Sequence, residues 1–198
     1  MTKHILILVF AFTVNLQQAY AAYDSADIYY ISGGFFDYRP KTIKKSVKTL
    51  REFSKKVLKK SHFYDLHNTD WEYLCSRIEG NVKANLYKKL IIIAQSWGAA
   101  GAMEVATCLQ KSSIKVDLLI SLDSIRKRIT RSNRIVPNNV VRNINYYQVK
   151  DIMFPGPKRN RRSDNSLIGI TNIFVDTPNH RVFHHDYMVW KLVNGGKV

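Results

Sequence analysis

Ser96 is the residue whose type and setting point to chemistry first. It lies in Leu90–Leu109, LIIIAQSWGAAGAMEVATCL, between an apolar run and a cluster of small residues, Gly98–Ala102. A serine hydroxyl is a weak nucleophile until a base takes its proton, and an imidazole base needs an acid to orient it. Such a set performs acyl transfer, with the oxygen attacking an acyl carbon while the histidine carries the proton. Carboxylates for the orienting role stand at Asp123 and Asp151, and histidines for the base at His180, His184 and His185. Asp123 closes an apolar run crisply, in Leu122-Asp123-Ser124, whereas Asp151 sits in the looser Lys150-Asp151-Ile152. Asp123 is therefore preferred, and Asp151 stays open.

The elements that must hold these residues alternate along the chain. Leu90–Ala94, with three consecutive isoleucines, reads as a parallel strand buried on both faces. A helix begins at Trp97. Its glycines lower helix propensity, so the small residues serve close approach to the strand rather than helix stability. Further strands are expected at Asp27–Ser32, Phe63–Leu66, Val116–Leu122, Asn143–Val149 and Asn172–Asp176. Between them fall amphipathic helices over Thr42–Lys60, with Thr42 as N-cap, and Asp70–Leu86, and a closing helix over Tyr187–Val193. Such alternation predicts right-handed crossovers and a three-layer α/β/α sandwich around a mostly parallel sheet of about six strands. Ligands of such sheets bind at the carboxyl ends of the strands. Gly33-Gly34, Ser96, Asp123, Asp151 and, past the last strand, His180 all fall at that edge.

Ala94-Gln95-Ser96-Trp97-Gly98 is similar to the G-x-S-x-G nucleophile elbow, with alanine in the first place. With the order Ser96, Asp123, His180 and the two glycines after the first strand, the chain resembles the α/β-hydrolase superfamily from Asp27 to Val193. It looks like a small, lidless lipase-, esterase- or thioesterase-type member. The resemblance implies a catalytic histidine in a loop after the last strand, which fits Thr177-Pro178-Asn179-His180 better than His184 or His185. It also implies an acid after the elbow's next strand (Asp123) or, more often, after the one beyond it (Asp151). The oxyanion hole would use the Trp97 N–H and an N–H from Gly34 or Phe35. Ser32 stands where the HGGG type has histidine. The function so implied is hydrolysis of an ester or thioester through an acyl-enzyme, lipid among the substrates considered. The alternative on the same fold is a non-catalytic binding domain that uses its basic surface.

The rest of the sequence bounds the setting. Its 198 residues are 45% hydrophobic, which suits one domain over 22–198. Residues 1–21 read as a signal peptide, with an apolar Ile5–Val14 and an Ala19-Tyr20-Ala21 cleavage site, so the protein is expected in the periplasm or outside the cell. Lys+Arg 31 against Asp+Glu 15 leaves +16, which favours peripheral contact with an anionic membrane or envelope. Lys158–Arg162 is basic but lacks interleaved aromatics, so it reads as a solvated loop or anionic-surface contact rather than a nucleic-acid site. No metal-ligand spacing and no cofactor motif is present, and His184-His185-Asp186 is too compressed to form a full site. Cys75 and Cys108 are expected to be buried free thiols. If their helices start level, the two lie roughly 9 Å apart along the axes, beyond the ~7 Å a bridge tolerates.

Overall fold

The computed structural model describes residues 25–33, 48–52, 55, 60–67, 71–84, 89–124, 135–147 and 159–175. Six strands form one sheet: β1 (Ser25–Ser32), β2 (Lys60–His67), β3 (Lys89–Gln95), β4 (Val116–Leu122), β5 (Val140–Tyr147) and β6 (Ile170–Phe174). All pairings are parallel, in the order β2-β1-β3-β4-β5-β6. The expected α/β architecture with a parallel sheet is what forms. Residues 1–21, read as a signal peptide, Gly34, Phe35, Thr42, Asp151, Lys158, His180, His184, His185 and the stretch Tyr187–Val193 expected as a closing helix lie outside the described residues.

The central strands are apolar on both faces because both faces are covered. Every residue of β3 after Lys89 is buried, and β4 is buried apart from Asp117. Asp117 is not a loosely solvated carboxylate. It accepts from Lys89 Nζ at 3.1 Å and from the Leu90 N–H at 3.0 Å, and so ties the starts of β3 and β4 together.

Helices α1 (Trp71–Ala84) and α2 (Trp97–Lys111) lie on one face, over β1, β3 and β4. In α1, Trp71, Leu74, Cys75, Ile78 and Val82 recur at helical spacing and face the sheet. The α2 interface is made of small residues, and Gly98 shows why. A Cβ on Gly98 would run into the Ile31 carbonyl oxygen. The first turn of α2 rests backbone to backbone on β1, which a side chain there would prevent.

Cys75 and Cys108 form a disulfide, with Cα atoms 6.3 Å apart. This overturns the expectation of two free thiols, and the reason is geometric. Cys75 lies beside Cys108, and Glu79 one turn on bonds to Ser112. The helices therefore run parallel but do not start level. Trp71 falls beside Glu104, so α1 begins roughly 10 Å down α2. That displacement cancels the axial offset that level helices would have.

The other end of the same sheet face is built differently. Asn143 Nδ2 donates to the Leu119 carbonyl at 2.9 Å, and Asn160 Nδ2 to Asn143 Oδ1 at 2.9 Å. Asn145 Nδ2 donates to Asn172 Oδ1 at 2.9 Å, which also accepts the Asn160 N–H at 2.7 Å. Residues 159–162 run down this polar face towards the amino ends of the strands. There Arg162 donates to the Pro137, Val140 and Ile168 carbonyls at 2.6, 2.7 and 3.1 Å. The basic cluster is thus not simply a solvated loop. Asn160 is buried, Arg161 pairs with Ile135 in a β-bridge, and Arg162 fastens four carbonyls, that of Val136 at 3.5 Å being the fourth.

Several boundaries differ from expectation, and four strands begin two or three residues early, β1 at Ser25 rather than Asp27 among them. β5 begins at Val140 rather than Asn143, and β6 at Ile170 rather than Asn172. Lys60 opens β2 instead of closing the preceding helix, of which residues 48–52 are helical with Leu50 buried.

Candidate active site

The chain moves from β1 outward to β2, then returns to place β3 on the other flank of β1. The strand order therefore reverses between β1 and β3, and the crevice outside their carboxyl ends is where such sheets hold ligands. Gly33 and Ser96 sit at those two ends.

Ser96 links β3 directly to α2. Its φ of 55° and ψ of −125° are a conformation that a residue with a Cβ adopts only under constraint. The constraint is visible. The Ser96 N–H extends the sheet ladder to the Leu122 carbonyl at 2.9 Å, while its own carbonyl already accepts from the Ala99 N–H at 3.1 Å. One residue must end the strand and start the helix, and the positive φ is the result. The side chain makes no capping bond to the helix. The buried turn faces the α2 N-terminus, where backbone N–H groups and the helix dipole favour negative charge. Trp97 contributes the first of those N–H groups.

Gly33 closes the other side. A Cβ there would lie 2.6 Å from the Gln95 carbonyl oxygen, 2.7 Å from Ser96 Cβ and 2.8 Å from the Trp97 nitrogen. The end of β1 thus packs against both the serine and the N–H beside it. Behind the turn, Tyr30 donates its hydroxyl hydrogen bond to Gln95 Oε1.

Asp123 stands at the same level one strand over, since Gln95 pairs with Leu122 and Leu122 with Tyr146. It is buried, its φ is 47°, and its N–H donates to the Tyr146 carbonyl at 2.9 Å. Among the described residues four non-glycine positions have positive φ: Ser96, Ser113, Asp123 and Asn165. Two of the four are the predicted serine and the preferred acid, at the ends of adjacent strands. Backbone strain of this kind costs about 1–3 kcal/mol per residue and gathers at working sites. Among the described residues no three His, Cys, Asp or Glu side chains gather as a metal ion would need.

No family model matches the chain, and no curated protein matches it. The crystal structure of a predicted CIB-like hydrolase from Thermoplasma acidophilum does, with a TM-score of 0.51 at 15% identity over 85% of this chain and 84% of that one. The chain has the α/β-hydrolase fold.

In this hydrolase fold the row at the carboxyl edge continues past Asp123. Tyr147 follows on β5 and Phe174 on β6, their rings tilted together with centroids 5.7 Å apart. Arg159 Nε donates to the Tyr147 hydroxyl at 3.4 Å, and that bond pushes the guanidinium pKa further up. Burial pushes the neighbouring Tyr146 phenol up to about 12. Sequence reasoning passed over Tyr147 and Phe174 and read Arg159 only as part of a basic solvated loop or anionic-surface contact. Only the strand register, which pairs Tyr147 with Phe174, brings them onto one edge.

Proposed function

We propose that the protein is an exported serine hydrolase that cleaves an ester or thioester. Ser96 Oγ attacks the acyl carbon while His180 takes its proton, and Asp123 fixes the imidazole. The oxyanion is held by the Trp97 N–H and by an N–H from Gly34 or Phe35. Collapse of the tetrahedral adduct breaks the bond to the leaving alcohol or thiol, which receives the proton. Water then repeats the sequence on the acyl-enzyme and frees the acid.

The observation that carries this reading is the Ser96 turn. A buried serine with φ 55° and ψ −125°, clamped between β3, α2 and Gly33, is the strained, presented nucleophile that such chemistry uses. The Cys75–Cys108 disulfide supports export, because such bonds persist in oxidising compartments. The solved hydrolase on the same fold, though distant in sequence, is consistent with hydrolysis as the reaction class.

Labelling with a fluorophosphonate probe tests the reading. Intact protein should be modified at Ser96, and Ser96→Ala should lose labelling and, on the order of 10⁴-fold or more, ester turnover. Asp123→Asn should cost far more in kcat than Asp151→Asn. Absence of labelling from pH 6 to 9 would overturn the proposal and favour a non-catalytic binding domain.

A further inference from the structure

The carboxyl edge of the sheet carries an aromatic and cationic ledge that the hydrolytic residues do not use. Ser96, Asp123, Tyr147 and Phe174 follow one another across four adjacent strands at one level. At about 4.8 Å between strands, Tyr147 stands about 10 Å from Ser96 and Phe174 about 14 Å. Phe174 leaves 48% of its surface exposed, whereas Tyr147 is buried beneath it. An exposed phenylalanine ring beside a site is apolar area waiting for an apolar partner.

Arg159 sits against Tyr147. Its backbone is anchored, because the next residue, Asn160, is buried and bonded to Asn143 and Asn172. Its Nε–H is directed onto the Tyr147 hydroxyl, which engages one of the five donors of the guanidinium fork. The side chain is exposed, so the remaining face of the fork is open to a ligand oxyanion. A guanidinium pairs with carboxylate or phosphate in a planar, two-bond contact, and prior orientation lowers the entropy lost in forming it.

We propose that Arg159, Tyr147 and Phe174 form a subsite for esters whose acyl or alcohol arm ends in an oxyanion, carboxylate or phosphate. The subsite rests on Ser96 as the reacting centre. The arm leaves the scissile carbonyl, crosses the end of β4, packs on Phe174 and places its anion at Arg159. Asp123 lies beneath the crossing point and is buried. A short anionic arm would end near that carboxylate and be repelled, so the subsite selects arms long enough to clear it.

The test compares matched substrates. Mono-p-nitrophenyl sebacate and p-nitrophenyl decanoate have the same chain length and differ by a terminal carboxylate. p-Nitrophenyl 10-(phosphonooxy)decanoate and p-nitrophenyl 10-hydroxydecanoate differ by a phosphate at the end of an arm of the same length. The intact protein should favour the anionic member of at least one pair by about tenfold in kcat/KM, and the pair with the larger preference identifies the anion. Because the fork is exposed, the preference should shrink between ~50 and ~500 mM salt. Arg159→Gln should bring the ratio close to one, while Arg161→Gln, which removes the same charge two residues along, should leave the ratio in place. Phe174→Ala should raise KM for both long-chain members of a pair. Equal rates within both pairs, or equal loss of the ratio in Arg161→Gln, would overturn the subsite. If no ester is turned over and Ser96 is not labelled, the hydrolase reading fails instead. The subsite is then judged by calorimetric binding of monomethyl sebacate, which Arg159→Gln should weaken about tenfold if it exists and leave unchanged if it does not.

Discussion

Ile92 and Asn143 stand at the same level on the same face of the sheet, two strands apart with Leu119 between them, and they are held by opposite means. Ile92 is buried under α1 and α2 by apolar packing alone. Asn143 is just as buried, but under an irregular segment, and each end of its amide is spoken for, by the Leu119 carbonyl and by Asn160. Non-directional burial tolerates small shifts of a helix, since its strength follows area. A buried amide tolerates none, because an unmade hydrogen bond there costs the full desolvation of the group. The half of the sheet over which no helix lies among the described residues therefore gains its register from polar bonds. That half also carries Arg159 and Tyr147, whose mutual placement depends on where Asn160 is pinned.

Exchanging the two chemistries should expose the difference most strongly. Ile92→Asn buries an amide with no partner and opens a cavity, and should destabilise by about 5 kcal/mol. The urea midpoint measures it, and a loss under ~1 kcal/mol would show that the apolar half can supply partners. Next in size is the covalent tie of that half. Cys75→Ala with Cys108→Ala reopens a loop with a sequence separation of 33 and should cost roughly 4 kcal/mol. Unchanged stability under non-reducing conditions would mean that helix packing alone holds α1 in place. The reverse exchange, Asn143→Leu, should cost about 2 kcal/mol. Asn143→Leu with Asn160→Leu should cost less than the sum of the two single changes, since no orphan amide remains. Additive losses would dissolve the idea of a coupled network.

The smallest effect is a titration. Burial is the main cause that raises Tyr29 in the apolar half and Tyr146 on β5 from 10.0 to about 12. Below pH 10 both folded and unfolded chains keep these protons, and the stabilisation is fully present. Between about 10 and 12 the unfolded chain releases protons that the folded chain retains, so stability falls as pH rises. Tyr146→Phe should flatten part of that alkaline decline in urea midpoints. An unchanged slope would assign the decline to other groups.

The same contrast decides what was legible in the sequence. β4 was readable to the residue because Val116–Leu122 is apolar and ends in Asp123. Ser96 was readable because an apolar strand, a serine and a glycine-rich helix start are contiguous in the chain. β5 and β6 were read two or three residues late, as were β1 and β2 towards the other edge. Asn143 and Asn172 were read as the first residues of their strands. Val140–Arg142 and Ile170-Thr171 before them were missed, since Arg142 looks like a loop residue and the partners of this polar stretch, Leu119 and residues 159–162, are distant in sequence. Local pattern carries apolar burial, whereas polar burial is satisfied at long range and leaves no local trace. The disulfide escaped for a related reason, since the level at which a helix starts is set by packing against its neighbour.

The position of β1 has a consequence in time. It is the earliest of the described strands, yet it lies inside the sheet, flanked by β2 and β3, both of which are made later. During synthesis β1 has no partner on the β3 side until residue 95 has been joined, and α2 cannot seat Gly98 against Ile31 before then. Every strand pairing joins segments far apart in sequence, the regime in which folding is slow. A nascent chain with this strand order can pair β1 with β2 once residue 67 is joined, but cannot enclose β1 on both flanks until about thirty residues later.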